Sequence, residues 1–183
     1  MTSPDTEAVR TLWADRFGGD PATRQKWIDA ILDSDHSATA LVAVSSGDGA
    51  VVGFGIFEIG GRDYTRSYLG LVPLDLHVPL VDRNGLFHMC CVRADWEGRG
   101  TGSALYRRRL QLLADREISR AFGISWHRPH TVDSRVLFEK HGFTALATVE
   151  RYYARTSPRL RCPDCEGECT CTATLYARRI EDT

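Results

Sequence analysis

The chain of 183 residues is short of lysine, of net charge and of long apolar runs, and the last two shortages each exclude something. Its 23 basic residues face 24 acidic ones, a formal net charge of −1, so bulk electrostatics offer nothing to nucleic acid or to an anionic membrane surface. No uninterrupted apolar stretch approaches the roughly 20 residues that a membrane helix needs. The opening MTSPDTEAVR carries an early acid and no apolar signal-peptide core, so the expected location is cytoplasmic. Only Lys26 and Lys140 are lysines, a bias that fits genomic base composition better than a function. Repeats and low-complexity linkers are missing as well. What remains is an ordinary globular composition, 43% hydrophobic and 26% charged, at the length of one domain over residues 1–183. A chain this long buries about two-thirds of its unfolded surface and needs no staple to fold.

Hydrophobic period divides the chain into alternating elements. Ser3-Pro4 predicts a helix start, with Val9, Leu12, Trp13 and Phe17 on one face; Asp20-Pro21 predicts a second, with Trp27, Ile28, Ile31 and Leu32. Two β-rich runs, 38–44 and 50–59, flank Ser-Ser-Gly-Asp-Gly and read as a hairpin. Residues 60–84 follow neither period and leave a lid, a strand or a helix open. A nearly continuous apolar strand over 86–92 comes next, then a glycine-rich turn and a helix over 101–116. The remaining elements are a strand at 121–126, a short helix at 132–141, a strand at 144–153 and a terminal strand at 172–180. This order predicts an α/β fold on a mixed sheet.

The turn Val92-Arg93-Ala94-Asp95-Trp96-Glu97-Gly98-Arg99-Gly100-Thr101-Gly102 joins a buried strand to a helix. Its glycines let backbone N–H groups approach a ligand, and those groups stand at a helix N-terminus, where orphan donors and the positive dipole end favour phosphate. Arg99 adds a formal charge. A tight strand-to-helix connection without a ligand is the alternative. The glycine spacing differs from a dinucleotide fingerprint, and no Lys-Ser/Thr pair follows, which excludes a P-loop.

This turn resembles the acetyl-CoA signature of the GCN5-related N-acetyltransferases (GNAT). Forty residues on, Ser134-Arg135-Val136-Leu137-Phe138-Glu139-Lys140-His141-Gly142-Phe143 resembles the second motif of that family, a short helix ending in Leu-Tyr-Glu-Lys-x-Gly-Phe. Order and spacing together are far more specific than either motif, and the element order agrees over nearly the whole chain, apart from a first strand before Ser3. The resemblance implies a GNAT-like mixed, twisted β-sheet flanked by helices and splayed between the fourth and fifth family strands, here 86–92 and 121–126. It implies acetyl-CoA as co-substrate, with pantetheine in the split, and an amine-bearing acceptor, a small molecule or a protein amine; no nucleic acid and no membrane are expected, and a homodimer stays open. The cofactor-binding set it implies is Val92, Arg93, Arg99, Gly100, Thr101, Gly102, Ser103, Thr131 and Phe138. Three positions depart from the family: Glu97 replaces Arg or Gln and is expected to turn to solvent, Thr131 replaces Asn, and Phe138 replaces the Tyr that protonates the leaving thiolate.

Amine acetylation needs an uncharged acceptor nitrogen, and histidine is the natural base near neutral pH. His88 stands on the strand entering the glycine turn, at the offset where the arylalkylamine branch of the family carries a catalytic histidine; a hydrogen-bonded core histidine is the alternative. His127 and His130 follow the next strand. Tyr152, Tyr153 and Tyr176 are replacement acids, and Trp126 either walls the acceptor site or packs. Finally, Cys162, Cys165, Cys169 and Cys171 crowd residues 162–171. Four thiolates suit a closed, structural zinc site, with Pro163 and Gly167 for the turns; disulfides, free or redox thiols and an iron–sulfur cluster are the alternatives. Acetyl transfer is thus set against two other functions: a CoA-binding regulatory module without turnover, or a zinc-loop interaction protein on the same scaffold, with Arg151, Arg155, Arg159 and Arg161 near the cysteines.

Overall fold

The computed structural model describes residues 1–33, 37–70, 79–128, 134–156, 162 and 164–181. Helix α2 (Pro21–Leu32) begins as its Asp-Pro pair predicts: Pro21 takes the first helical position, and the Asp20 carboxylate accepts the Thr23 N–H at 2.9 Å. The first start differs. Ser3–Asp5 form a single 3-10 turn, and α1 (Thr6–Phe17) is preceded by Asp5, whose carboxylate is turned back to the Thr2 N–H at 2.7 Å.

Strands β1 (Ala38–Val44) and β2 (Val51–Gly60) form the expected hairpin, closed by the Ser45 N–H on the Ala50 carbonyl. The 60–84 segment holds helix α3 (Arg62–Leu69); residues 71–78 lie outside the described residues. Then come β3 (Asn84–Val92), a 3-10 turn at Ala94–Trp96, α4 (Thr101–Ala114), β4 (Arg120–His127) and α5 (Arg135–Lys140). The strand expected over 144–153 stops early. β5 covers Thr144–Val149, Arg151 turns the backbone with φ 51°, and α6 (Tyr152–Thr156) follows. β6 (Thr172–Arg179) ends the fold.

The sheet runs β1-β2-β3-β4-β6-β5, with only β3 and β4 parallel. Three apolar clusters cover it. Phe57, Phe87, Tyr106, Leu113, Phe138 and Tyr176 fill the space under α4 and α5. On the opposite face Val9, Leu12 and Trp13 of α1 meet Phe54 and Ile56, while Leu69, Leu86, Phe122, Tyr152 and Leu175 form a separate group. No helix among the described residues is long and apolar enough to cross a membrane.

Candidate active site

The site begins with a defect of pairing. β3 and β4 are in register only over Gly85–Phe87 against Ala121–Gly123; beyond Phe87 the strands part. The apex of the split is packed by aromatic rings, because Gly123 has no side chain: a Cβ there would stand 2.6 Å from the Phe138 Cζ. Phe138 is buried and stacks flat on Tyr176 with ring centroids 4.8 Å apart.

On its other edge β3 carries a bulge. Gly55 pairs with Cys90 and Phe57 with Phe87, so Ile56 alone faces both His88 and Met89. Such an insertion re-aims side chains, and bulges recur beside active sites. The Val52 carbonyl accepts the Arg93 N–H, whereas the Ile59 N–H goes to Ser37 on the β1 side, so even-numbered β2 residues address β3. By the same alternation the N–H groups of Cys90 and Val92, opposite Gly55 and Gly53, turn away from β2 toward the split.

His88 points to the α2 face. Its Nε2 lies 3.1 Å from Glu58 Oε2, its ring is boxed by Trp27 (centroids 4.5 Å apart) and Tyr68 (5.2 Å), and its side chain is 8% exposed. Glu58 also accepts from Ser37 Oγ and from the Tyr64 hydroxyl, each at 2.9 Å. Burial pushes the Glu58 carboxyl up, but the bonds from His88, Ser37 and Tyr64 outweigh it and hold it below its usual value. Burial, with Glu58 as acceptor, pushes the Tyr64 phenol up to about 12. Glu58, Tyr64 and Tyr68 were not singled out from the sequence. The isolated acid in the apolar alternation of β2 was the available signal.

At the mouth of the split Gly100 precedes α4 in the left-handed region, φ 83°, with open space where a Cβ would stand. The N–H groups of Thr101 and Gly102 begin the helix behind it, and the Arg99 guanidinium sits 5.0 Å over the Trp96 ring. Arg93 is held by Asp95, with Nε 2.6 Å from Oδ1. Ser103 is buried, and its Oγ lies 2.8 Å from His141 Nε2. Glu97 does not turn to solvent. It pairs with Arg16 of α1, which neutralises a carboxylate that would otherwise repel a phosphate. Thr131 and His130 lie outside the described residues, and His127 ends β4 half-buried.

The four loop cysteines come together. Their sulfurs all lie within 4.8 Å of one another, with Cys162–Cys171 at 3.8 Å and Cys165–Cys171 at 3.6 Å. Zn–S bonds of about 2.3 Å at tetrahedral angles require sulfurs about 3.8 Å apart, so the donor set fits one ion. Burial pushes the Cys162 thiol up, whereas Thr170 lowers Cys165 to about 7 through backbone and side-chain hydrogen bonds. Trp126 packs on this cluster and on Tyr153, which favours packing over walling an acceptor. Between Cys162 and Cys165 stands Asp164, whose carboxylate takes the Arg128 guanidinium, Nη2 to Oδ1 at 3.0 Å. Arg128 also donates to the Arg16 carbonyl, joining the end of β4 to the end of α1.

Residues 6–143 match the model of the acetyltransferase (GNAT) family. No curated protein matches the sequence. Among solved structures, Arabidopsis thaliana NAA60 in complex with a bisubstrate analogue superposes with a TM-score of 0.71 at 14% identity, covering 100% of this chain and 97% of that one. The ribosomal-protein-S18-alanine N-acetyltransferase of Escherichia coli gives 0.63 at 16% identity, over 98% of this chain and 90% of that one. An insect protein from Aedes aegypti, described as a putative arylalkylamine N-acetyltransferase, gives 0.67 at 15% identity, with 99% and 86% covered.

Proposed function

The chain belongs to the acetyltransferase (GNAT) family, and from that premise we propose that it moves acetyl from acetyl-CoA to an amine by direct attack in a ternary complex. The observation that carries this reading is the parting of β3 from β4 just where β3 bulges. An extended pantetheine pairs with the outward N–H groups of Cys90 and Val92, and the pyrophosphate rests on Arg99, Gly100, Thr101 and Gly102, with Arg93 and Ser103 at the edge. The thioester then lies beside the bulge. The amine lone pair attacks its carbonyl carbon, the C=O pair moves to oxygen, and collapse expels the CoA thiolate.

The attacking nitrogen must also lose a proton. His88, oriented by Glu58, takes it through one water, because its ring is boxed by Trp27 and Tyr68. A thiolate is a far better leaving group than an alkoxide and departs without an obligatory proton donor, so Phe138 is compatible with turnover. Tyr176, which stacks on Phe138, donates its hydroxyl to Glu139 at 3.1 Å.

We assign Cys162, Cys165, Cys169 and Cys171 one structural zinc. Four thiolates would leave no open position, so the ion would order the loop and supply no chemistry. The small exposure of His88 favours one other reading, a CoA-binding module without turnover. The experiment that separates them is release of free CoA thiol from acetyl-CoA across a panel of amines. At least one amine is expected to accelerate release, and binding of acetyl-CoA with no acceleration by any amine would overturn the enzyme reading.

A further inference from the structure

Arg109 lies on α4 and is wholly buried against β2 and β3. A guanidinium in that position is as a rule met by a carboxylate, since an unpaired buried charge is strongly unfavourable. Among the described residues no carboxylate pairs with it. Instead Nη1 donates to the Ile56 carbonyl at 3.1 Å and Nε to the Leu105 carbonyl at 3.3 Å. The guanidinium carbon stands 4.2 Å from the Phe87 ring centroid and 4.4 Å from that of Tyr106. Nη2 has no hydrogen-bond partner among the described residues.

The position of this charge is specific. Ile56 is the β2 residue that faces the His88–Met89 bulge, and its carbonyl addresses β3. Gly55 beside it leaves room for the guanidinium, because a Cβ there would stand 3.2 Å from Arg109 Nε. The charge reaches β3 as well: burial pushes the Cys90 thiol up, and Arg109 pulls it back. A methionine would fill the same space without the desolvation penalty.

We propose that Arg109 is a positioning residue for acetyl transfer, holding the bulge through Ile56 and keeping a positive charge without a carboxylate partner behind the stretch of β3 beside which the thioester oxygen lies. The inference rests on the acetyl-transfer reading. In the attack described above that oxygen gains the C=O electron pair, and fixed charge in a dry core acts on it with little screening. Arg109 touches neither substrate nor cofactor; it acts through Ile56 and the β3 backbone.

The test uses acetyl-CoA labelled with ¹³C at the carbonyl and bound to the intact chain, with the thioester stretch read by isotope-edited infrared spectroscopy. In Arg109→Met the band is expected at higher wavenumber than in the parent, with calorimetric acetyl-CoA affinity kept within about twofold and amine turnover lowered roughly tenfold. Arg109→Lys retains the charge and is expected to restore most of the band position. If Arg109→Met does not fold, Gly55→Ala displaces the guanidinium and is expected to shift the band in the same direction by less. A band unmoved in these variants, with acetyl-CoA still bound, overturns the role of Arg109 alone. A parent chain that binds no acetyl-CoA overturns the acetyl-transfer reading and this inference together.

Discussion

Glu58 stays buried with a negative charge because His88, Ser37 and Tyr64 all reach it. Its carboxyl is held below the usual value in the folded chain, so its contribution to stability is complete above the unfolded pKa and is lost as pH falls through the folded one. Glu58→Gln is therefore expected to lower stability at neutral pH and to flatten the acid limb of a stability–pH curve from urea titrations. An unchanged acid limb would show that the three donors do not hold the charge. His88→Ala tests the neighbouring role. Turnover is expected to fall roughly 100-fold near neutral pH with acetyl-CoA affinity kept, and the deficit to shrink at high pH, where the amine is already free. A pH–rate profile that overlays the parent's would remove His88 from the reaction. Gly123 carries a purely steric burden at the apex of the split. Gly123→Ala forces a Cβ into the Phe138 ring and is expected to cost about 1–3 kcal/mol in chemical denaturation.

At the scale of the element, the glycine turn does two things at once. It reverses the chain through Gly100 in the left-handed region and leaves open the space into which the first amides of α4 point. Gly100→Asp adds strain and a negative charge at that point, and acetyl-CoA affinity measured by calorimetry is expected to fall roughly tenfold or more in a folded variant. This turn was legible in the sequence because its chemistry is local, as were the Asp20-Pro21 start, the hairpin and the crowding of cysteines. Helix α3 was not. Thr65 and Leu69 are its only buried residues, too few to set a period, although the helix brings Tyr64 and Tyr68 to the Glu58–His88 pair. The strand expected through Tyr153 failed because Arg151 takes a left-handed turn that nothing in its own side chain announces. Glu58 with His88, Arg109 with Ile56, and Arg128 with Asp164 are partners far apart in the chain, joined by register and packing rather than by spacing.

Across the whole molecule, the cysteine loop is a satellite. The three large apolar clusters of the sheet contain none of its cysteines, and the described loop rests on Trp126 and Tyr153. Its reach comes through charge instead, from Asp164 to Arg128, from Arg128 to the end of α1, and from Arg16 there to Glu97 before the glycine turn. Metal–thiolate bonds would supply the ordering free energy that a polar loop does not obtain from packing, and so fix the Asp164 carboxylate within the Cys162–Cys165 knuckle. Purified chain is accordingly expected to carry one zinc, and Cys165→Ser and Cys169→Ser to lose it while the main thermal transition moves by only a few degrees, roughly what about 1 kcal/mol produces in a domain of this size. In both variants KM for the best amine of the panel is expected to rise before the domain unfolds. Arg128→Met separates the metal from its reach: zinc stays bound, because all four thiolates remain, yet KM for the amine rises as it does in the cysteine variants. Metal-free protein isolated under reducing conditions would defeat the zinc assignment. An Arg128→Met enzyme with zinc bound and amine KM unchanged would leave the metal in place and remove the path from the loop to the split.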